Sequence, residues 1–298
     1  MPPVYSNMIS SKQRAVSRYI VDKVFKNGVL VCALVSFLIL LAIIVFIFRE
    51  GLPAFIEIGV GKFLFGTEWS LKNQQFGILP LVLGSIFTTL GTLLIAAPLS
   101  LACAIFLAEV APQGIAAILR SAIEVLVGIP SVVYGLVGMM VLVPLIRGVG
   151  GSGYSLLAGT VVLSIMVLPT MTTITEDSLR AVPKGYKEGA LALGATHWQT
   201  IWRVMLPAAR SGIAGAFVRA MGRAIGETMA VYMVIGNAFA IPTSPLDPSR
   251  TLTSHIVGQI LEAASGSLHL SALFAVGIVL MIFILILNSI AFAVRRRT

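Results

Sequence analysis

Glu188-Gly189-Ala190-Leu191-Ala192-Leu193-Gly194-Ala195-Thr196-His197-Trp198-Gln199-Thr200-Ile201-Trp202-Arg203-Val204-Met205-Leu206-Pro207 is a polar, amphipathic island in a sequence that otherwise runs through long apolar stretches. Just before it, Pro183 suits the first turn of a helix, where a missing N–H costs nothing. Gly194 is a natural stop for that helix, because glycine tolerates the left-handed residue beyond a C-terminus. Thr196 then reads as an N-cap, with Gln199 three residues on to complete a capping box. In the second helix Trp198, Ile201, Trp202 and Met205 fall at i, i+3, i+4 and i+7, so one face is apolar. Pro207 is expected to close the unit. The spacing predicts a helix–turn–helix over 183–207 between two hydrophobic spans, a rigid handle for another protein to grip. The plainer alternative is an amphipathic hairpin lying on lipid.

Outward from this island the composition sets the class. The chain is 57% hydrophobic and 11% charged, with mean hydropathy +0.98, well above the apolar share of a soluble domain. Long apolar runs predict six membrane-crossing helices at about 29–48, 81–108, 121–146, 155–176, 213–235 and 270–294, each near the roughly 20 residues that span a bilayer. The run Asn73–Ala108 is long enough for two crossings. With Pro98 near its middle and no polar turn, it reads as one long kinked helix starting near Leu81. Residues 1–28 form an N-terminal tail and 29–298 a single membrane domain. Val29–Phe48 is too long for a signal-peptide core and is followed by Phe-Arg-Glu-Gly, so it is expected to be a permanent anchor. The polar segments near Gly51–Gln75 and Asn237–Leu268 are expected to be external loops, the second kept irregular by Pro242, Pro245 and Pro248.

Basic residues give an orientation. They cluster in the tail (Lys12, Arg14, Arg18, Lys23, Lys26), around the helix–turn–helix (Arg180, Lys184, Lys187, Arg203, Arg210) and at Arg295–Arg297. Six crossings put all three clusters on one side, which the positive-inside rule makes cytoplasmic. The net charge of +9 is then membrane topology, and no basic patch interleaved with aromatics points to nucleic acid. Cys32 and Cys103 lie inside apolar helices and read as small core residues, with neither disulfide nor metal spacing.

Within the fifth span stand Arg219, Arg223 and Glu227. On a continuous helix they share one stripe, and facing lipid would cost about 2.5–3.5 kcal/mol for each charge on insertion scales. Gly222 and Gly226 are spaced to admit a second helix. One reading is an aqueous pathway in which the guanidinium groups meet an anion and Glu227 holds Arg223 at i, i+4. The others are a buried ion pair that fixes packing and, for Arg219, snorkelling to the headgroups. Glu124 either sits at headgroup level or pairs with Arg120 four residues back. Pro130, Pro144 and Pro169 kink or end helices, as hinges or as static packing.

The island resembles the EAA loop of bacterial ABC-importer permeases, with Glu188, Ala190, Gly194, Leu206 and Pro207 in register and Gly189 standing where the family has alanine. Gly222-Arg223-Ala224-Ile225-Gly226-Glu227-Thr228-Met229-Ala230-Val231 with Ile235-Gly236-Asn237, Gly128-Ile129-Pro130-Ser131-Val132-Val133-Tyr134-Gly135 after Ala122-Ile123-Glu124, and Ser267-Leu268-His269 are similar to the C-type permeases of bacterial phosphate importers (PstC). The resemblance runs from about residue 30 to the C-terminus. It implies an all-α integral membrane protein, a six-helix ABC-importer permease (MetI-like) with a cytoplasmic coupling helix–turn–helix, in the bacterial plasma (inner) membrane. It implies a heterodimer with a homologous second permease (PstA-type), two copies of a cytoplasmic ATPase (PstB-type) and an external phosphate-binding protein (PstS-type). It also implies ATPase coupling through Glu188, Gly189, Ala190, Gly194, Leu206 and Pro207. Arg223 and Glu227 match the charged pair that the family associates with translocation, while Arg219 falls outside the matched motif.

The chain has no Gly-x-x-x-x-Gly-Lys-Ser/Thr loop for ATP phosphates. It is therefore expected to be no enzyme by itself and to carry no cofactor, with ATP and Mg bound by the partner ATPase. Three rivals stand beside this reading. An importer for another oxyanion or small solute is the nearest, since arginine does not distinguish phosphate from sulfate. A secondary transporter or channel would need no handle. An intramembrane protease is suggested only by Gly150-Gly151-Ser152-Gly153, a tetrapeptide that reads as a turn.

Overall fold

A computed structural model describes the backbone of residues 4–297 and the side chains of residues 25–289. The basic side chains at Lys12, Arg14, Arg18, Lys23 and Arg295–Arg297, on which the orientation argument leans, lie outside the described residues. Two units divide the chain, Met1–Glu50 and Gly51–Thr298. The first is helical from Val4 onward, within α1 (Val4–Ile58). The expected tail is helical from Val4, and helix also takes the first stretch of the expected loop at Gly51. Cys32 is exposed and not a core residue, as suits a helix apolar on every side and solvated by lipid.

In the second unit α2 (Val60–Phe65) leads into a two-residue hairpin, with β1 (Trp69–Ser70) antiparallel to β2 (Gln75–Phe76) and Trp69 opposite Phe76. Then comes α3 (Leu79–Ile105), one long helix with Pro98 inside it, continued by a π-helical turn at Phe106–Val110. The expected third crossing, 121–146, is divided. Helix α4 (Gln113–Gly128) ends before Ile129–Pro130, and α5 (Ser131–Val137), a π-helical turn and α6 (Val143–Val149) follow. The cause is local: Pro130 has no N–H to continue α4 and forces Ile129 into extended backbone, at ψ 127°. Tyr134 braces the corner by donating its hydroxyl to the Leu126 carbonyl at 2.7 Å.

Helix α7 (Leu156–Arg180) starts at a Ser155 N-cap. After it come α8 (Lys184–Ala192), α9 (His197–Thr200), a π-helical turn at Ile201–Met205 and α10 (Leu206–Gly226). Pro207 does not close the unit as expected. A π-turn just ahead widens the helix where the proline lacks a donor and presses on the carbonyl four residues back, and the helix runs on. The π-turn Gly138–Leu142 before Pro144 solves the same problem in the same way. Helix α11 (Met229–Val234) follows a break, and α12 (Leu252–Gln259), capped by a Thr251–Ser254 box, gives regular structure to part of the expected second loop. Helix α13 (Leu268–Arg297) ends the chain.

Among the described residues, five helices are long and apolar enough to cross a membrane: Phe25–Ile58, Leu79–Val110, Ser131–Val149, Leu156–Arg180 and Leu268–Ser289. The sixth expected crossing, 213–235, is the broken pair α10–α11. Helix α7 is central and packs on α3, α10 and α4. Its Met166, Val167 and Met171 share one core cluster with Ala96 of α3 and Ala220 and Ala224 of α10. Between lipid-solvated helices apolar burial drives little, so close packing and polar contacts must hold them. Between α7 and α3, Ser164 Oγ donates to Thr92 O at 3.3 Å and Thr92 Oγ1 to Thr160 O at 3.4 Å. A Cβ at Gly91 would lie 2.8 Å from Thr160 Cγ2. Near the other end Leu252 N–H donates to Ser85 Oγ at 2.9 Å, tying the start of α12 to α3. A Cβ at Gly84 would come within 2.3 Å of Arg250 O, so only glycine admits this approach.

Candidate functional site: a capped hairpin, an ionic junction and a broken helix

The hairpin has the expected turn. Gly194 is left-handed at φ 85°. Its N–H reaches Leu191 O at 3.0 Å and that of Ala195 reaches Ala190 O at 3.1 Å, the two bonds of a Schellman ending. Thr196 N–H donates to Gln199 Oε1 at 2.9 Å and Gln199 N–H to Thr196 Oγ1 at 3.2 Å. Glu188, Gly189, Gly194 and Pro207 are exposed, while Ala190 and Leu206 are half-buried. Tyr186, Leu193, Trp198 and Trp202 are also exposed, Leu193 at 91%. The two indoles meet edge to face at 5.9 Å. This is a large apolar surface on an otherwise polar element, a feature of contact sites.

Behind the hairpin lies a charge cluster that the sequence reading missed. Glu176, 3% exposed, takes both Arg120 from α4 at 2.7 Å and Arg180 at 2.8 Å on its Oε1. Arg180 Nη2 also donates to Leu107 O at 3.0 Å. Two residues further in the same π-turn, Glu109, 7% exposed, pairs with Lys187 of α8. Arg120 is thus taken by Glu176, and the expected alternative pairing with Glu124 does not form; Glu124 is exposed. A carboxylate with arginine four residues on, at the end of an apolar run, was the available signal.

The stripe Arg219–Arg223–Glu227 is not carried by one helix. Helix α10 ends at Gly226, and Glu227 is extended at φ −71°, ψ 134°. Its carbonyl accepts from Thr253 Oγ1 at 2.8 Å and its Oε1 from Ala230 N–H at 3.4 Å, at the start of α11. The expected Arg223–Glu227 ion pair does not form. The three ion pairs among the described residues all belong to the junction behind the hairpin. Within this chain the expected close approach is not made at either glycine: a Cβ at Gly226 would meet open space, and one at Gly222 would reach only Asn288 Oδ1 of α13, at 4.0 Å. It is Ala216, Ala220 and Ala224, nearly fully buried, that carry the packing face of α10. Arg219 is exposed and Arg223 half-buried, on a face that this chain does not fully cover. Arg223 lies within electrostatic reach of Tyr134. Ser85, Thr88, Thr89 and Thr251 line a narrow cleft beside Glu227, so its surroundings are hydroxyl-rich. Ser152 lies in a turn with Gly151 at φ 73° and Gly153 at φ 83°. Its hydroxyl donates to Tyr154 O at 3.1 Å.

Helix order, broken spans and an exposed hairpin define a membrane-transport permease, and comparison with known proteins places it. Residues 100–298 match the binding-protein-dependent transport system inner membrane component family, and the chain belongs to that family. The probable ABC transporter permease protein YqgH of Bacillus subtilis (strain 168) is 43% identical over 285 residues, 94% of this chain and 91% of the relative. The phosphate transport system permease protein PstC of Mesorhizobium japonicum is 34% identical over 304 residues, covering 95% and 92%. A bacterial alginate ABC transporter, solved with an alginate pentasaccharide-bound periplasmic protein, superposes with TM-score 0.65 at 17% identity, over 93% of this chain and 96% of its own. The inward-facing MetNI methionine ABC transporter gives 0.54 at 19% identity, over 74% and 94%. At such identities the two structures establish the fold alone. The chain is a multi-pass inner-membrane permease subunit of an ABC transporter, a non-catalytic component.

Proposed function

We propose that this chain conducts inorganic phosphate as one half of an ATP-driven importer. It pairs with a homologous PstA-type permease, is driven by two PstB-type ATPases and is supplied by a PstS-type binding protein outside. Both termini and the hairpin are cytoplasmic, and the hairpin seats its exposed tryptophans and Glu188 in the ATPase. ATP and Mg belong to that partner, and their binding and hydrolysis supply the work. Arg223, with Arg219 beside it, meets the anion along the route, and Glu227 tempers the attraction so that the anion is released.

The observation that carries this reading is Arg223. It is half-buried, has no carboxylate within ion-pair distance among the described residues, and stands on a face that the chain leaves for a second subunit. A desolvated guanidinium without a partner is costly, and a passing oxyanion provides the bidentate partner for which its fork is shaped. The PstC relatives support phosphate as that anion. Uptake of labelled phosphate by cells carrying this chain with its partner subunits tests it. Excess unlabelled phosphate should suppress the signal, and sulfate or molybdate should not. Suppression by sulfate instead would transfer the chain to another oxyanion. A cysteine placed at Lys187 should resist an impermeant thiol reagent in intact cells, and labelling there would overturn the orientation.

A further inference from the structure

We propose that the charges behind the hairpin form a mechanical relay, running from Lys187 on the hairpin through Glu109, Arg180 and Glu176 to Arg120 on α4, and that this relay moves the α4–α5 corner when the hairpin moves. It rests on the reading of the hairpin as the ATPase handle and names what lies between that handle and the route.

The links are continuous. Lys187 of α8 holds Glu109 in the π-turn that ends α3. The same turn offers Leu107 O to Arg180 at 3.0 Å. Arg180 and Arg120 share one oxygen of Glu176, at 2.8 and 2.7 Å. Glu176 and Glu109 are 3% and 7% exposed, against 38%, 47% and 35% for Arg120, Arg180 and Lys187, so solvent screens these contacts in part and they resist parting more than fully exposed pairs do. Arg120 belongs to α4, whose last turn is tied by the Tyr134 hydroxyl to α5 at 2.7 Å. Tyr134 in turn lies within reach of the charge on Arg223. Between these fixed points stand a π-turn and the extended Ile129–Pro130 corner, places where a helix can change its path without unfolding. A displacement of α8 is thus handed on by ionic contacts to the corner that leads into α5, which packs on α11 just beyond the helix break. Arg120, Glu176, Lys187 and Glu109 are positioning residues that touch no substrate.

The test uses the whole complex, reconstituted in phospholipid vesicles with its partner subunits and assayed for labelled inorganic phosphate taken up per ATP hydrolysed. Lys187→Glu and Glu109→Lys should each lower the yield of complex, and in the complex that forms the ATPase should still co-purify while uptake per ATP falls by about tenfold, the scale of a typical coupling free energy. The double swap, which restores an ion pair of opposite polarity, should recover most of the ratio. Arg120→Gln, which leaves Glu176 with Arg180, should lower the ratio in the same direction. An unchanged ratio in the single variants overturns the relay. So does a loss of complex that the double swap does not repair, because the pair would then be a clamp and nothing more. Failure of the underlying reading looks different: a Gly194→Val complex that retains its ATPase and its uptake would show that the hairpin is no handle, whatever the relay variants do.

Discussion

The charges behind the hairpin and those at the helix break follow opposite plans. At the hairpin end each nearly buried carboxylate holds a cation, and Glu176 holds two. At the break Arg219, Arg223 and Glu227 make no ion pair with one another or with any other described residue. The paired carboxylates Glu176 and Glu109 are nearly buried, whereas Arg219 is exposed and Arg223 and Glu227 are half-buried. Partnership separates the two groups as well. A buried charge whose partner is built in serves the fold, because removing one member strands the other at a cost of about 3–5 kcal/mol. A charge left without a partner, on a face the chain does not cover, is free for something that comes and goes.

The contrast breaks most readily at Arg223. Arg223→Gln should reduce phosphate uptake to background while complex yield and basal ATP hydrolysis remain near normal, since no ion pair is lost. A collapse of complex yield in that variant, repaired by a second uncharged substitution at Glu227, would place Arg223 with the structural charges. Glu176→Ala should act first on the fold. With Arg120 and Arg180 stranded but 38% and 47% exposed, the complex should lose about 1–3 kcal/mol of stability, less than for a fully buried pair. This should be seen as poor yield and a lower unfolding midpoint, while the complex that survives still takes up phosphate but at a lower ratio per ATP hydrolysed, as the relay requires.

His255 gives a smaller and sharper test, because it is a buried titratable group held neutral. It is fully buried, in edge contact with Trp69 at 4.3 Å, and it meets Arg250 Nη1 through Nδ1 at 3.2 Å. Burial first, then the charges of Arg250 and His269, bring its pKa from 6.5 down to about 3. The unfolded chain therefore binds the proton more readily than the fold does between those values. The resulting stability is fully present above about pH 6.5 and is lost as the pH falls towards about 3, by up to about 1.4 kcal/mol per unit. Unfolding midpoints measured across that window should drop on acidification, and His255→Phe should flatten the slope. An equal slope in the variant would remove His255 from the account.

Where sequence and structure agree, the determinants are local. Gly194, Thr196 and Gln199 specify the hairpin through bonds that span three to five residues, so its turn and cap were legible without knowledge of the rest. The long spans follow equally from apolar length. What escaped depends on what meets across the fold. Glu176 takes Arg120 from 56 positions away, and no periodicity announces that. The 213–235 segment reads as one apolar helix, yet it breaks because the Glu227 carbonyl is claimed by Thr253 and its carboxylate faces the start of α11. At Pro207 the rule that proline ends a helix met a π-turn that absorbs the defect. The Gly222–Gly226 spacing was real, but the packing face fell two residues out of phase, on nearly the opposite side of the helix, on the alanines.

The absorbed proline has a consequence for motion. From His197 to Gly226 the backbone is helical throughout, with the π-turn at Ile201–Met205 as its one soft point, so Trp198 on the hairpin and Arg223 near the break ride on one continuous helix. About 25 residues at ~1.5 Å each make it about 37 Å long, and a tilt of about 5° at one end sweeps the other through about 3 Å. Glu227 lies just past the end of that helix, moored to Thr253 and α11. Under the proposed coupling, a stroke delivered to the tryptophans would change the gap between the guanidinium of Arg223 and the carboxylate of Glu227, opening and closing a vice whose two jaws are only four residues apart in sequence.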